Sequence, residues 1–332
     1  MELRRVREGD RAIVQIAGGH GWVTLGEVLA LLPGRASDME VTLWSDDVVA
    51  FLGAPSTVRA EVERMAAGMP SNGQTDATIL IPFEPRSYRD FMLFEQHAVE
   101  AARGFVRMFW PRMSPLVRLY EAVTRTTFPP LRPKPLWYRQ PIYYMGNHLA
   151  FAIDGDTISV PSYSRALDYE LEIGFVLAQS LLNASAAEAE AAIGGFVVFN
   201  DFSARDIQHQ EMQSGFGPQK SKHFRNAIST TVVSADKVLP HWRSLRGYVR
   251  INGELIAEPT SVNPHWSLGE AIAHASRSER LYPGEFFGSG TLPGGSGIET
   301  GRLLSAGDVI EIGIERIGSL KNFIVEREGG HP

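Results

Sequence analysis

The sequence predicts an α+β fold that is mostly β, with a small unit at the N-terminus. After residue 150 the chain consists mainly of short β-rich runs bounded by turn residues. Too few helical patterns separate these runs for a strict alternation of strands and helices, so a doubly wound parallel sheet is not expected. A break rich in glycine and polar residues at 68–73 follows the first unit. We therefore expect a small N-terminal domain over 1–75 and a main domain over 76–328.

Four elements are predicted in the first half of the chain. Ala12–Ile16 is typical of a strand, and Leu25–Leu32 and Ser56–Ala67 are typical of helices. Asp90–Phe109 is predicted to be one long helix, because apolar residues recur along it at steps of three and four. Five prolines within 128–141 forbid a helix there and disfavour a central strand, so we expect an ordered surface segment.

The second half is predicted to hold several strands and two helices. The helices are expected near Ala187–Ile193 and after Ser267, where Ser267 and Glu270 have the spacing of a capping box. The predicted strands are Tyr169–Ala178, Gly195–Asn200, Tyr248–Ile251 and Val309–Ile314.

The composition excludes several classes of protein. The 332 residues include 32 basic and 38 acidic side chains, and a net charge of −6 argues against a dedicated nucleic-acid binder. No apolar run approaches the roughly 18–20 residues of a membrane span, and the charged start does not resemble a signal peptide. Without cysteine, any metal must bind to oxygen or imidazole. We expect a cytoplasmic enzyme with neither nucleic acid nor membrane as a partner, although composition also allows a binding protein.

Three acidic residues on two successive predicted strands indicate a cation site. Glu170 and Glu172 alternate along a strand, so they share one face, and Asp201 follows the next strand directly. Carboxylates that lie side by side in an apolar setting need water, a basic partner or a cation. A solvated edge strand would also explain the glutamates alone. Oxygen ligands favour Mg²⁺, Mn²⁺ or Ca²⁺ over zinc or copper.

Other polar residues are candidates for the same site. On the predicted helix, Asp90 and His97 share the apolar face, which favours a common polar pocket over a solitary core histidine. Arg205 and Gln208 are three residues apart on a helix that Ser203 and Asp206 would cap.

Two further segments carry residue types suited to binding a ligand. The basic run 219–225 is either a solvated charge cluster or a holder of anionic substrate groups. The glycine-rich segment 288–297 lacks the context of a nucleotide loop, and close approach of its backbone to a ligand is the better explanation.

Taken in order, these segments resemble the fumarylacetoacetate hydrolase family over roughly residues 80–325. The spacing of Asp90-Phe91 and His97-Ala98 is similar to that of the fumarylacetoacetase-like branch. The resemblance implies the mixed β-roll catalytic domain of that family behind a small N-terminal domain, assembled as a homodimer. The matching segments are Asp90-Phe91, His97-Ala98, Tyr169-Glu170-Leu171-Glu172, the run from Asn200 to Gln208, Lys222, Gly290-Thr291 and Glu299.

The resemblance also implies a role for each matched residue. His97 would be the general base, oriented by Glu299. Tyr144 and Thr291 would contact the substrate. One divalent cation is implied, with Mg²⁺ favoured and Ca²⁺ or Mn²⁺ as alternatives. The implied ligands of that cation are Asp90, Glu170, Glu172 and Asp201, and the implied holders of the oxyanion and substrate are Arg205, Gln208 and Lys222.

The implied reaction is metal-dependent hydrolysis of a C–C bond in a β-diketone acid, such as a fumarylacetoacetate- or acylpyruvate-like compound from aromatic catabolism. The cation would bind both oxygens of the diketone, His97 would activate water, and an enolate would leave. The alternative on the same fold is a decarboxylase, hydratase or isomerase of a 2-oxo acid, and a third reading is a binding protein without activity. The segment before Lys222 is one residue longer than the family pattern, so Lys220 is the alternative lysine.

Overall fold

The computed structural model describes residues 1–32, 37–71 and 77–326. Strands dominate this part of the chain, as the short β-rich runs predict. The domain boundary predicted between residues 75 and 76 lies outside the described residues and stays a prediction. The strands are β1 Glu2–Glu8, β2 Arg11–Gly18, β3 Gly21–Thr24, β4 Thr78–Leu80, β5 Ser87–Phe91, β6 Tyr143–Met145, β7 Phe151–Ile153, β8 Thr157–Ser159, β9 Leu167–Asp168, β10 Leu171–Leu177, β11 Ile193–Asn200, β12 Ser203–Ala204, β13 Asn226–Ile228, β14 Thr231–Ser234, β15 Gly247–Ile251, β16 Glu254–Ala257, β17 Glu285–Gly288, β18 Val309–Ile314 and β19 Gly318–Val325.

Most of the helices are short, and the two longest lie in the first third of the chain. They are α1 Leu25–Ala30, α2 Asp38–Asp46, α3 Val48–Leu52, α4 Ser56–Gly68, α5 Glu95–Phe109, α6 Ser114–Thr124, α7 Ala186–Ala191, α8 Arg205–Gln213, α9 Ala235–Val238, α10 Leu268–Ala275 and α11 Gly297–Thr300. The predicted capping box of α10 is confirmed, because Ser267 Oγ accepts from the Glu270 N–H and the Glu270 carboxylate accepts from the Ser267 N–H. The proline-rich segment contains one 3-10 turn, Pro129–Leu131, and no strand.

A 12-stranded sheet organises the described residues. Its main path runs β3-β2-β1-β14-β11-β10-β17-β5-β6, with β4 beside β1, β13 beside β11 and β7 beside β13. Most neighbours are antiparallel, but β17 pairs with β5 in parallel. A separate five-stranded sheet has the order β16-β15-β18-β19-β8, and β9 pairs with β12 alone. The mixed, mostly β fold that the sequence predicts is confirmed.

The central strands β10 and β11 are buried on both faces, which explains their nearly continuous apolar sequences. On one face, Phe175 and Phe196 pack in a core shared with the five-stranded sheet and α10. On the other face, Val176 and Val197 pack in a second core with the N-terminal strands and helices. The N-terminal segment therefore contributes strands to the large sheet and covers one of its faces, β1 pairing with β14.

The predicted start of the long helix Asp90–Phe109 is wrong. Asp90 belongs to β5, where it pairs with Gly288 of β17 and Tyr144 of β6, and the helix begins only at Glu95. The apolar spacing continues by coincidence across the joint, because Phe91 packs from the strand and the helix supplies the remaining apolar positions. Asp90 and His97 thus reach one region from two different elements and not from one helix face.

Candidate active site

Three buried carboxylates lie close together at the C-terminal end of β17. Asp90 on β5, Glu172 on β10 and Asp201 directly after β11 each place one oxygen within 4.8 Å of the others. We call these three residues the carboxylate cluster. Strand β17 lies between β5 and β10 in the sheet, so pairing of the strands brings Asp90 and Glu172 together across it.

Glycines of β17 and the following turn make room for the cluster. A Cβ on Gly288 would lie 2.4 Å from Asp90 Oδ1 and 2.7 Å from Glu172 Oε2, so no larger residue fits there. The Gly290 N–H donates to Glu172 Oε2 at 2.9 Å, and the left-handed φ of +77° at Gly290 aims it there. Thr291 Oγ donates to Glu172 Oε1 at 3.4 Å. Glycine in segment 288–297 therefore brings the backbone close to the carboxylate cluster, and its predicted approach to a ligand stays a prediction.

The electrostatics of the cluster favour a bound cation. Burial and then the charge of Asp201 raise the pKa of Asp90 well above its usual range. Burial and then the charges of Asp90 and Asp201 do the same to the pKa of Glu172. Asp90 Oδ1 is buried without a hydrogen-bond donor among the described residues. Oxygen donors, mutual repulsion and this orphaned acceptor together fit a hard divalent ion such as Mg²⁺.

Two permanent cations lie beside the cluster and share Glu170. Lys222 Nζ contacts Glu170 Oε2 at 2.5 Å and also contacts Asp201 Oδ2. Arg205 donates through one terminal nitrogen to Glu170 Oε1 at 2.6 Å. Although burial opposes it, the charges of Arg205 and Lys222 hold the pKa of Glu170 well below its usual value. Both oxygens of Glu170 are thus engaged by cations, whereas in the carboxylate cluster only Asp201 is contacted by one, Lys222.

Asp201 is held by several neutral donors besides Lys222. The Tyr144 hydroxyl donates to Asp201 Oδ2 at 2.8 Å and lies 3.1 Å from the Tyr88 hydroxyl. With its amide nitrogen turned toward the carboxylate, Asn226 donates to Asp201 Oδ1 at 3.0 Å. Burial and then the charge of Asp201 raise the pKa of Tyr144 well above its usual range, so the hydroxyl keeps its proton.

His97 and Glu299 form a buried pair next to this group. His97 lies in the first turn of α5, and its Nδ1 is 3.0 Å from Glu299 Oε2, although the ring N–H is not well aligned with it. Glu299 lies in α11 and accepts from Ser296 Oγ at 2.6 Å and from the Gly294 N–H at 3.0 Å. Although burial opposes it, His97 and these donors hold the pKa of Glu299 below its usual value. The carboxylate is therefore ionised and faces one edge of the imidazole.

The remaining predicted residues are Gln208 and the two candidate lysines, Lys222 and Lys220. Gln208 Oε1 accepts from Arg205 at 2.8 Å, which leaves its amide nitrogen available as a donor. Lys222 is buried in the site, whereas Lys220 lies outside it, 5.6 Å from the ring of Tyr163. The interpretation that the basic run is only a solvated surface cluster is wrong for Lys222.

The predicted cap of α8 is wrong. Ser203 lies in β12 and donates to the Asp201 carbonyl, and the cap position of the helix belongs to Ala204. Asp206 instead accepts from the Ser164 hydroxyl at 2.6 Å, because β9 and β12 pair and bring that turn against the helix.

Two acids that support the site, one buried and one half-buried, are not among the residues predicted from the sequence. Asp168 is completely buried and accepts from Arg205 Nε at 2.6 Å. Glu211 accepts from the N–H groups of Gln219, Lys220 and Ser221, directly before Lys222. Both had a signal, since Asp168 alternates with Glu170 and Glu172, and Glu211 follows Arg205 and Gln208 at steps of three.

The family follows from comparison with known sequences. The family model described as fumarylacetoacetate hydrolase C-terminal matches residues 120–325, more than half of the chain. The chain belongs to the fumarylacetoacetate hydrolase family. The mitochondrial oxaloacetate tautomerase FAHD1 of Homo sapiens is 28% identical over 188 residues, which cover 57% of this chain and 82% of that protein.

Solved structures of this family share the whole fold. A fumarylacetoacetate hydrolase from Exiguobacterium antarcticum superposes with a TM-score of 0.67 at 17% identity, covering 98% of this chain and 100% of that one. The 5-carboxymethyl-2-hydroxymuconate delta-isomerase from Mycobacterium smegmatis superposes with a TM-score of 0.63 at 17% identity, covering 99% and 100%. The family match identifies the chain as an enzyme of this family, and the proteins to which it is similar are named as a tautomerase, a hydrolase and an isomerase. Within the described ranges, no helix has the length and apolar content that crossing a membrane requires.

Proposed function

We propose that this chain is a divalent-cation-dependent hydrolase that cleaves a C–C bond in a β-diketone acid. The observation that carries the proposal is the buried His97–Glu299 pair beside the carboxylate cluster. Hydrolysis needs a base that activates water in addition to a polarised carbonyl, and this pair supplies such a base. An enzyme that only stabilises an enolate does not need a histidine held by an ionised glutamate.

The carboxylate cluster would hold the cation. Glu170 would complete the set through Oε2, the oxygen that Lys222 contacts in this structure. A cation bound there supplies Lewis-acid polarisation of the two diketone oxygens and neutralises charge among the carboxylates. The raised pKa values of Asp90 and Glu172 support this assignment, because neither carboxylate forms an ion pair within the part of the chain that the structure describes.

His97 is the proposed general base. With Nδ1 toward the ionised Glu299, the imidazole keeps Nε2 free to take a proton from water. The resulting hydroxide attacks the carbonyl of the acyl group, and the C–C bond to the neighbouring carbon breaks. The electron pair of that bond remains on the departing carbon, which takes a proton back from His97. The balanced products are a carboxylic acid and an oxo acid, which is a 2-oxo acid when the substrate is an acylpyruvate, with one water consumed.

Lys222, Arg205 and Gln208 are the proposed donors to the developing oxyanion. Lys222 and Arg205 are buried and already held by Glu170, so they need little reorganisation during the reaction. Although burial opposes it, the carboxylates of Asp201 and Glu170 raise the pKa of Lys222 above its usual range, so the ammonium stays charged. Tyr144, which donates to Asp201, and Thr291, which donates to Glu172, are proposed to contact the substrate next to the cluster.

Incubation with Mg²⁺ and a panel of acylpyruvates and other diketo acids tests the proposal. We expect loss of the diketone absorbance with one equivalent each of two acids. The panel should include an Asp90→Asn variant, in which both the cation and the turnover are expected to be lost. Diketone that persists unchanged with wild-type enzyme across the panel would contradict hydrolysis.

Tautomerisation or isomerisation of a 2-oxo acid is the second candidate. It is favoured by the likeness to the human oxaloacetate tautomerase, which extends over most of that protein's length. The same panel separates the two, because loss of oxaloacetate enol absorbance without any new acid supports tautomerisation. Release of CO₂ supports decarboxylation instead, and binding without turnover supports a binding protein.

The remaining expectations concern the metal, the assembly, the cellular location, the family branch and the metabolic role. The physiological metal, the homodimer, the cytoplasmic location, the membership of the fumarylacetoacetase-like branch and a role in aromatic-compound catabolism stay predictions. Metal analysis of protein purified without added metal tests the first, and the mass in solution by light scattering tests the second.

A further inference from the structure

One buried carboxylate, which is not among the predicted site residues, contacts two elements that carry proposed functional groups. Asp168 ends β9 and is completely buried. Its Oδ2 accepts from Arg205 Nε at 2.6 Å and from the Ile298 N–H at 2.9 Å. Its Oδ1 accepts from the Gly297 N–H at 2.7 Å and from the Tyr169 N–H at 2.7 Å. Four donors thus converge on two oxygens.

Four donors fill the acceptor positions of a carboxylate, so this pattern fits a group that is bonded within the protein and is not itself a metal ligand. A protonated acid would present a hydroxyl to one of the four donors and lose that contact. With every donor in place, no lone pair of Asp168 faces the carboxylate cluster. All four hydrogen bonds come from the protein, and three of them come from two helices that carry proposed functional groups, α8 and α11.

The first of these elements is α8. Arg205 opens this helix, and its three guanidinium nitrogens donate separately to Asp168, Glu170 and Gln208. Because a guanidinium is planar and its donors have fixed directions, holding Nε also fixes the two terminal nitrogens. Asp168 therefore sets how Arg205 meets Glu170 and the amide oxygen of Gln208.

The second element is α11, whose first two N–H groups point at Asp168. Glu299 is the next residue, and it faces His97. The approach is close, since a Cβ on Gly297 would lie 2.2 Å from Asp168 Oδ1. On its other side α11 is held by α5, where Arg107 donates to the carbonyls of Ile298 and Glu299 at 2.9 Å. Asp168 thus sets the position from which Glu299 reaches the imidazole.

We propose that Asp168 is a positioning residue that holds Arg205 and the Glu299-bearing helix in one fixed relation. The oxyanion donor and the general base act on the same substrate, so their relative position matters as much as either group alone. The inference rests on the proposed function for its effect on turnover, but its structural part stands by itself.

The test compares Asp168→Asn with Asp308→Asn. Asp308 is a matched control, because it is also buried and accepts from an arginine, Arg302, and from a backbone N–H, that of Ser305. We expect both variants to lower the melting temperature. Only Asp168→Asn should lower kcat, by about 10²-fold, with KM nearly unchanged, which is the usual cost of a misplacement near 1 Å.

A double-mutant cycle distinguishes positioning from stability. In a Glu299→Gln background, Asp168→Asn should cost at least about tenfold less than in the wild type, because the contact through which it acts is already weakened. Equal fold-losses in both backgrounds, or an equal loss of kcat in Asp308→Asn, would overturn the proposal.

Two further measurements cover the cases in which Asp168→Asn does not fold or the wild type shows no turnover. If Asp168→Asn does not fold, Gly297→Ala displaces the same carboxylate by a methyl group and should lower kcat in the same cycle. If the wild type turns over no diketo acid, the proposed function fails, and crystal structures decide the positioning role. Glu299 should then leave His97 in Asp168→Asn and stay in Asp308→Asn, and an unchanged contact in both contradicts the inference.

Discussion

The carboxylate cluster and the His97–Glu299 pair lie side by side but are built from different elements. Asp90, Glu172 and Asp201 are carried by, or directly follow, strands of the same large sheet. His97 and Glu299 are carried by the first turns of α5 and α11, which side-chain hydrogen bonds hold in place. Strand pairing fixes the first group through backbone bonds, whereas the second depends on individual side chains. Variants should therefore affect the two groups in separable ways.

The largest effect is expected from Glu172→Gln, which removes one charge of the carboxylate cluster without changing its shape. Mg²⁺ affinity should fall at least about 100-fold, since the loss of outer partners alone costs 10–100-fold at metal sites. Turnover should disappear with the cation. Calorimetric titration of Mg²⁺ into protein treated with EDTA measures this.

The matched control for that variant is Glu285→Gln. Glu285 is also buried on a strand of the same sheet, but it pairs with Arg89 and not with the cluster. Its Mg²⁺ affinity should equal that of the wild type. If Glu172→Gln binds Mg²⁺ as tightly as Glu285→Gln does, the cluster is not the cation site.

The next effect is expected from His97→Ala, which acts on the other part of the site. Mg²⁺ affinity should stay within about twofold, while turnover should fall by roughly 10²–10⁴, the usual contribution of a general base. His274→Ala, a half-buried histidine on α10 away from the site, should change neither quantity. Near-normal hydrolysis by His97→Ala would show that His97 is not the general base.

The difference between the two parts also explains what the sequence could predict. Alternation along a strand places Glu170 and Glu172 together whatever the rest of the chain does, and Asp201 follows from the next strand. Asp90 was harder, because its strand leads into α5 through a short link and the apolar spacing runs across it. Its partner strand β17 lies almost 200 residues away in sequence, and no local pattern indicates such a pairing.

Contacts between loops were the least predictable from sequence. Asp168 and Glu211 act through backbone N–H groups of α11 and of the segment before Lys222, and an N–H is present at every residue other than proline. Helix caps show the same limit. Ser267 matches its pattern and caps α10, whereas Ser203 matches the same pattern but is drawn into pairing with β9. Tertiary pairing decided between them.

A smaller effect is expected from Lys222→Met, which removes a cation shared by Glu170 and Asp201. Turnover should fall roughly 10²–10³-fold, the usual cost of losing one preorganised oxyanion donor. Lys220→Met is the matched control two residues away, and it should change little because Lys220 lies on the ring of Tyr163. The reverse order of the two variants would place the wrong lysine in the site.

The smallest effect is expected from Trp137→Phe, which tests the link between the two parts. Trp137 is buried in the proline-rich segment, and its indole N–H donates at 2.7 Å to the carbonyl of Met92, between β5 with Asp90 and α5 with His97. Phenylalanine keeps most of the packing but leaves this carbonyl without its donor, at a cost of about 1 kcal/mol.

We expect the segment between β5 and α5 to become more mobile at the α5 end. Its β5 end stays fixed, because β5 pairs with β17 and β6. Turnover should therefore fall less than about tenfold while Mg²⁺ affinity is unchanged, and the melting temperature should drop by roughly 2 °C. Trp242→Phe, at a buried tryptophan in the core shared with the five-stranded sheet, gives the stability change alone. If Trp137→Phe weakens Mg²⁺ binding as much as it slows turnover, the two parts of the site are not separable, and strand pairing does not hold Asp90 independently of the helix that follows it.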